Sequence, residues 1–504
     1  MTKRKGGRRP DTPAGFARAP SRTIVWLVVG AALAGVAVWG VTRWRHAAAA
    51  NRIPAPPTLS GQFVAVTSHL STRYEAAQRD PGSAEAVGPL CIAYHADMFF
   101  DLADRCYAHA ADLDPDDWRW EYSRALIQFE RGGGKTLVGS LRRVVHLAPR
   151  FAPAWLRLGE AEFKAQQYDA AREAWQRVSE LNEPDGSESE SPAHVAEVPL
   201  AAYAGLGLAR VALIRGEADR AREILEGLAG QAPQFGSVLR LLADSYRASG
   251  RAADADRLIY RASRLPPYAP FVDPVVDSLA RDSRNSTLLL RLASEANLAM
   301  NAEWSEYLAR RALEFDPRNP DVVVKLARIL RTIGRNEEAL ELFHEYHRLV
   351  PGDFLGLAHI GSCLSAMGRY DEAESYLRRA LMGADDAVTH YNLGLLLSQT
   401  GRVDAAIGEY QKALARDPGN SDARTNLAAA LMRQGRVELA VRELTQLLDR
   451  DPDNAIARTN LGLVFLQQGR VDQARAQLER ALQIDAGLAP AREALESLRG
   501  SQKH

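Results

Sequence analysis

A recurrence of 34 residues, seen in segments 387–420, 421–454 and 455–488, restricts this chain more than any other feature. In register, the seventh position reads Leu393, Leu427 and Leu461, and the eighth Gly394, Ala428 and Gly462. The fifteenth reads Gly401, Gly435 and Gly469, and the twentieth Ala406, Ala440 and Ala474; Pro418 and Pro452 close the first two segments, with Ala486 in the third. Each segment holds two apolar stripes at helical spacing, such as Leu393, Leu396 and Leu397, then Ala406, Tyr410, Ala413 and Leu414. The glycine between them supplies the left-handed residue that ends a first helix. Asp417-Pro418 ends the second, because proline lacks an amide hydrogen and restricts the residue before it. Small residues at positions eight and twenty let the two helices approach closely. The unit is an antiparallel hairpin, and a lone hairpin cannot bury its apolar face, so the units must stack.

This pattern resembles the tetratricopeptide repeat, a 34-residue helix–turn–helix unit with Leu-Gly early, Ala in the middle and Pro late. The resemblance implies an all-α solenoid, a right-handed superhelix. Upstream the register continues through 354–386 (Gly361, Gly368, Ala373), 320–353 (Leu326, Ala327, Gly334) and 286–319, where Met300 replaces the turn glycine. It resumes in 236–269 (Gly250), 202–235 (Gly216) and 152–185, whose Trp155, Leu158 and Gly159 match the family's W-x-x-L-G, and fades through 118–151 and 84–117. Two stacks are expected, 59–269 and 286–488. A polar loop over 186–201 interrupts the first, and an irregular joint over 270–285, broken by Pro270 and Pro274, separates the two. Residues 489–504 read as a capping helix and tail.

A chain of 504 residues exceeds one ordinary core, but a solenoid lengthens freely because each repeat touches only its neighbours. Its 63 basic and 63 acidic residues balance, which gives no overall attraction to nucleic acid. The balance fails locally. Residues 1–22 hold Lys3, Arg4, Lys5, Arg8, Arg9, Arg18 and Arg22 against Asp11, and Thr23 to Val41 is then uncharged. At helical rise that run spans roughly 28 Å, near the thickness of a bilayer's hydrocarbon. Trp26, Trp39 and Trp44 lie toward its ends, where indoles favour the interface. A cleaved signal peptide competes with this reading. The run is longer than such segments, however, and Arg43 and Arg45 separate it from the alanines that would be cut. The expectation is a basic cytoplasmic arm (1–22), a transmembrane helix (23–42) and an Ala/Pro-rich linker (43–58). The excess of positive charge before the helix sends the repeats to the periplasmic side of a bacterial inner membrane.

Three cysteines make no disulfide framework. Cys91 and Cys106 fall in the two helices of one predicted hairpin, where a bridge is open to them, but small packing thiols are the expectation.

Catalytic and metal motifs are weak. Gly132-Gly133-Gly134-Lys135-Thr136 has Phe129 where a phosphate loop needs its leading glycine, and His344-Glu345-Tyr346-His347 is one residue short of HExxH. No GxSxG or CxxC occurs. The expectation is a non-catalytic chain with no cofactor, metal, nucleic acid or small-molecule substrate. In tetratricopeptide proteins the first helix of each unit lines a concave groove, and position six faces it. The resemblance therefore implies groove residues Asn392, Asn426 and Asn460, and further up His359, Lys325, Arg291 and Arg157. A carboxamide both donates and accepts, so an asparagine ladder can hold an extended peptide backbone without reading its side chains; common helix packing at this position is the plain alternative. The basic members suit acidic peptides. Thr425 and Ala429, or Tyr391 and Leu395, do not match the family's carboxylate clamp. The chain reads as a membrane-anchored scaffold for protein partners. Its competitors are a cytosol-facing import or chaperone receptor and an accessory subunit of an envelope enzyme or cytochrome-assembly complex.

Overall fold

The protein is seen in a computed structural model that describes residues 22–59, 64–133, 135–181, 198–266, 270–271, 273–485 and 487–501. Residues 1–21 of the basic arm, most of the loop at 186–201, Ala486 and the tail 502–504 lie outside them. The described residues contain 26 helices and no strand. The C-terminal repeats form the expected hairpins: Ala387–Gln399 with Val403–Arg416, Ser421–Arg433 with Val437–Arg450, and Ala455–Gln467 with Val471–Ile484. The same hairpin recurs upstream, from Ala84–Ala96 with Phe100–Leu113 onward, and the helix Ala489–Ser501 covers the last one through Ala491, Ala494 and Leu495.

Local chemistry sets each hairpin. The fifteenth residue takes a positive φ throughout, at +76° for Gly401 and +72° for Gly435 and Gly469. The amide after it then reaches back to the helix it leaves, as from Arg402 N to the Leu397 carbonyl at 2.8 Å. Where glycine is missing, Met98, Gln166 and Met300 still take φ of 69°, 61° and 56°. The stacked neighbours hold them there against a left-handed cost of about 1–2 kcal/mol. After the Asp-Pro stop, the Asn420 and Asn454 side chains accept from Ala423 N (2.8 Å) and Ala457 N (2.9 Å) and start the next helix.

Between helices, a small residue faces a large one. A Cβ on Gly394 would lie 2.8 Å from Tyr410, and one on Gly462 would lie 2.7 Å from Leu478. Trp175 is wedged twice, since a Cβ on Gly159 would lie 2.4 Å from it and one on Gly207, in the next hairpin, 2.5 Å.

The described residues of the joint, 270–271 and 273–285, do not merely separate the stacks. Asp273 caps the helix Pro274–Asp282 by accepting from Val275 N at 3.2 Å. Leu279 of this helix belongs to the apolar core around Tyr122, Leu126 and Leu141, whereas the adjacent Ala280 belongs to the core that continues from Leu289 to Ala474. The joint thus packs into both stacks at once. Tyr260 Oη also donates to Asp485 (3.1 Å) and Arg291 pairs with Glu130 (3.8 Å), so the stacks meet at further points.

At the N-terminal end, one helix runs from Arg22 to Ala50, through residues that the sequence suggests belong to the linker. The turn after this helix docks on the first stack: Ile53 is buried, Tyr94 Oη donates to the Pro54 carbonyl at 2.7 Å, and Gln78 Nε2 donates to the Ala50 carbonyl at 3.1 Å. Leu33, Val36, Val38, Trp39, Val41 and Trp44 of the helix itself are exposed. Among the described residues no helix is long and apolar enough to cross a membrane, and the side chains of 22–32, where half of the expected span falls, lie outside the described residues. Cys91 and Cys106 are joined in a disulfide across one hairpin, with Cα atoms 5.2 Å apart, where the sequence favours packing thiols. The hairpin register brings their side chains face to face.

These contacts set the stability of three variants. Gly207→Ala should destabilise by about 1–3 kcal/mol, because the rigid Trp175 ring cannot yield. Gly227→Ala, in a helix where a Cβ meets nothing within 4 Å, should stabilise by about 0.5–1 kcal/mol, and equal urea midpoints for the two variants would refute the wedge. Replacing both Cys91 and Cys106 by alanine, which opens a loop of 15 residues, should cost about 3 kcal/mol, and a thiol reductant should lower the melting temperature of the parent but not of that variant.

Candidate peptide-binding grooves

The first helices of successive hairpins lie side by side, so residues at one register position form a ladder. Asn392, Asn426 and Asn460 sit on three consecutive first helices, all half-buried. Asn426 Nδ2 donates to Tyr391 Oη of the preceding repeat at 3.3 Å, and among the described residues Asn392 and Asn460 make no side-chain hydrogen bond. Position two leaves Val388 (54%) and Ile456 (55%) exposed on two of these helices and Leu355 (44%) exposed one hairpin upstream, with the exposed Asp422 between Val388 and Ile456. The ladder therefore has polar rungs beside a rim that is apolar except at Asp422. Below it, position four ties the two helices of each hairpin together through His390 with Glu409 (2.5 Å) and Arg424 with Glu443 (2.6 Å).

Toward the joint the face becomes cationic, though not through every residue that the register suggests. Lys325 is half-buried and, among the described residues, forms no ion pair or side-chain hydrogen bond; burial and the neighbouring Arg328 hold its pKa below the usual lysine value. Arg328 and Arg331 stand exposed on the same helix, likewise without a side-chain partner among the described residues. Position six alone does not single these two out, but their spacing of three from Lys325 and from each other puts them on one face. His359 is not a cation here. Its ring stacks on Phe343 at 4.9 Å, and burial, followed by Arg331 and Arg328, pushes its pKa down to about 4. Arg291 is engaged by Glu295 (2.8 Å) and Glu130 (3.8 Å).

Arg157 departs furthest from its expected role. Its guanidinium donates to Asp273 Oδ2 at 2.8 and 3.1 Å and to Tyr122 Oη at 2.9 Å, and Tyr122 Oη donates to the same carboxylate oxygen at 2.6 Å. Burial opposes the charge on Arg157, but Tyr122 and Asp273 outweigh it and hold the guanidinium protonated above its usual range. Burial also drives the Tyr122 hydroxyl far above its ordinary pKa, so it remains a donor. The groove position that Arg157 should offer to a partner is filled by the chain itself. Nothing local in the sequence signals this, since Asp273 is 116 residues from Arg157 and 151 from Tyr122.

Sequence models of the tetratricopeptide repeat match residues 138–186, 202–226, 353–418, 397–449 and 425–489. The BBSome complex member BBS4 of Bos taurus is 27% identical over 125 residues, 25% of this chain and 24% of that protein. The CTR9 homolog of Arabidopsis thaliana is 22% identical over 387 residues, 70% of this chain and 34% of that protein. The chain thus spans a quarter to a third of the length of these curated relatives. Among solved structures, the APC/C hetero-tetramer Cut9–Hcn1 aligns over 86% of this chain and 93% of that one, with 15% identity and a TM-score of 0.40. The type IV pilus biogenesis factor PilW aligns over 42% and 98%, with 19% identity and a TM-score of 0.39.

The stacked, neutral His359 makes a pH prediction. Its folded pKa lies below the ordinary value of 6.5, so the unfolded chain takes up the proton first. Its stabilising contribution is complete above pH 6.5 and is lost as pH falls toward 4, at up to about 1.4 kcal/mol per pH unit. His359→Phe should flatten that limb of the urea-midpoint profile between about pH 7 and 4. Parallel profiles for the two proteins would remove the assignment.

Proposed function

We propose that this tetratricopeptide-repeat protein is a non-catalytic scaffold, tethered to a membrane by residues 23–42, whose C-terminal stack captures extended segments of partner proteins. The observation that carries the reading is the ladder of Asn392, Asn426 and Asn460 on consecutive first helices, two of its rungs without an internal side-chain partner among the described residues. Each carboxamide can accept from a peptide N–H and donate to a C=O, which holds a strand-like chain of any sequence. Val388 and Ile456, with Leu355 one hairpin upstream, add apolar contact on either side of the exposed Asp422. Lys325, Arg328 and Arg331 give the groove a direction, with the acidic part of a partner toward the joint.

The tether raises the local concentration of the groove near proteins that share the membrane. Exposed Leu33, Val36, Trp39 and Trp44 on the first helix support it, as does the basic run that precedes the helix in the sequence. The Cys91–Cys106 disulfide supports placing the repeats on the outer, oxidising side of a bacterial inner membrane, because such bonds persist there and not in the cytosol.

Affinity purification from detergent-solubilised membranes tests the groove. Replacing Asn392, Asn426 and Asn460 together by alanine should reduce recovery of co-purifying proteins about tenfold with helicity unchanged. Lys325→Ala with Arg328→Ala should weaken capture mainly at low salt. Equal recovery by parent and triple variant would dispose of the ladder. Alkaline phosphatase fused after His504 should be active, whereas a fluorescent cytosolic reporter alone would reverse the orientation.

A further inference from the structure

Residues 271 and 273–285 lie along the first helices of four successive hairpins in the N-terminal stack: Leu200–Ile214, Ala152–Lys164, Trp118–Glu130 and Ala84–Ala96. Phe271 comes first. Its ring meets Tyr203 edge-on at 5.8 Å, and the Arg157 guanidinium lies 4.9 Å from the ring centre. Two residues on, the buried Asp273 carboxylate takes hydrogen bonds from Arg157 and Tyr122. Val275, Val276 and Leu279 then pack against the core around Tyr122 and Leu126. At the far end, Asp97 accepts from Arg284 N at 2.8 Å and Asn285 Nδ2 donates to the Asp97 carbonyl at 3.3 Å. Arg73, on the helix Val64–Arg79, pairs with Asp282 at 3.3 Å.

Two features distinguish this from an ordinary connection. The segment crosses the stack on the side where the first helices would meet a bound peptide, and it is held by side chains of a recognition type, an aromatic cleft followed by a carboxylate receptor. That receptor is demanding. The Arg157 side chain is only 14% exposed and Asp273 2%, and a cation this enclosed and left without its acid is strongly destabilising, so whatever occupies this place must bring a carboxylate. We infer that the first-helix face of the N-terminal stack is a second peptide groove, filled in cis by Phe271 and by Asp273 to Asn285. It admits in trans a partner segment with an aromatic residue two positions before an aspartate, leading into a short amphipathic helix. Because Leu279 and Ala280 pack into different stacks, displacement of the cis segment also loosens the joint between them. This inference stands apart from the asparagine ladder, which lies in the other stack.

The test uses a fluorescein-labelled peptide of residues 270–282 and the full chain carrying Phe271→Ala and Asp273→Asn. The variant should bind the peptide at least tenfold more tightly than the parent and gain melting temperature from it, and the peptide with Asp273→Asn should lose at least tenfold in affinity. Equal binding to variant and parent, or none to either while the variant keeps the parent's circular dichroism, overturns the proposal. Should the double variant lose helicity, hydrogen exchange over 274–282 in Phe271→Ala alone decides. Excess free peptide should speed that exchange as the cis segment leaves, and unchanged exchange overturns the proposal.

Discussion

A helical hairpin of this length has more apolar surface than it can cover alone, and every other feature of the molecule answers to that deficit. The answer is a contact between a small residue and a large one, repeated with little change. Gly159 against Trp175, Gly361 against Leu377, Gly394 against Tyr410 and Gly462 against Leu478 are the same joint made four times with different large partners. Because the contact sits inside the hairpin as well as between hairpins, it fixes the separation of the helices and the surface offered to the next unit. The deficit at the end of the array is closed by Ala491, Ala494 and Leu495 of the final helix. At the other end, Ile53 and Pro54 fold back onto the helix bearing Tyr94.

This repetition explains what the sequence discloses. Each unit meets neighbours like itself, so the environment of a residue is written in its register position. Met300 shows how far that holds: it lacks the glycine's freedom, yet the stacked helices on either side impose the same left-handed turn, as they do at Gln166 and Met98. The placement of Asn392, Asn426, Asn460 and Lys325 on first helices is legible on the same grounds. Arg157 and His359 occupy the matching position but are engaged within the chain, because their chemistry is decided by something outside the register. For Arg157 it is an aspartate more than a hundred residues away; for His359 it is the Phe343 ring and the enclosure that strips its proton. The joint is the least legible stretch. Its prolines truthfully announce a break in the period, but a break in period is not a break in structure, and only assembly of both stacks gives the helix Pro274–Asp282 two cores to enter.

The two stacks therefore use similar surfaces in opposite ways. In the first, a cation on a first helix is neutralised by the chain's own Asp273, and a tyrosine hydroxyl completes the shell of that carboxylate. In the second, Lys325, Arg328 and Arg331 share one helix with no acid bonded to them among the described residues, and Lys325 already has its proton affinity lowered by burial and by Arg328. Like charges gathered on a half-buried face raise the free energy of the unbound protein and lower it once an anion arrives. On the proposed reading, the two grooves differ in who supplies the carboxylate. A groove satisfied in cis is rigid and selective, since a newcomer must match an acid already in place. In the proposed function, the groove left unsatisfied is the one open to an extended chain whose backbone fits the asparagines and whose charge fits the cations. Because the helix Pro274–Asp282 packs into the cores of both stacks, the proposal makes occupancy of the first groove a term in the geometry of the second stack.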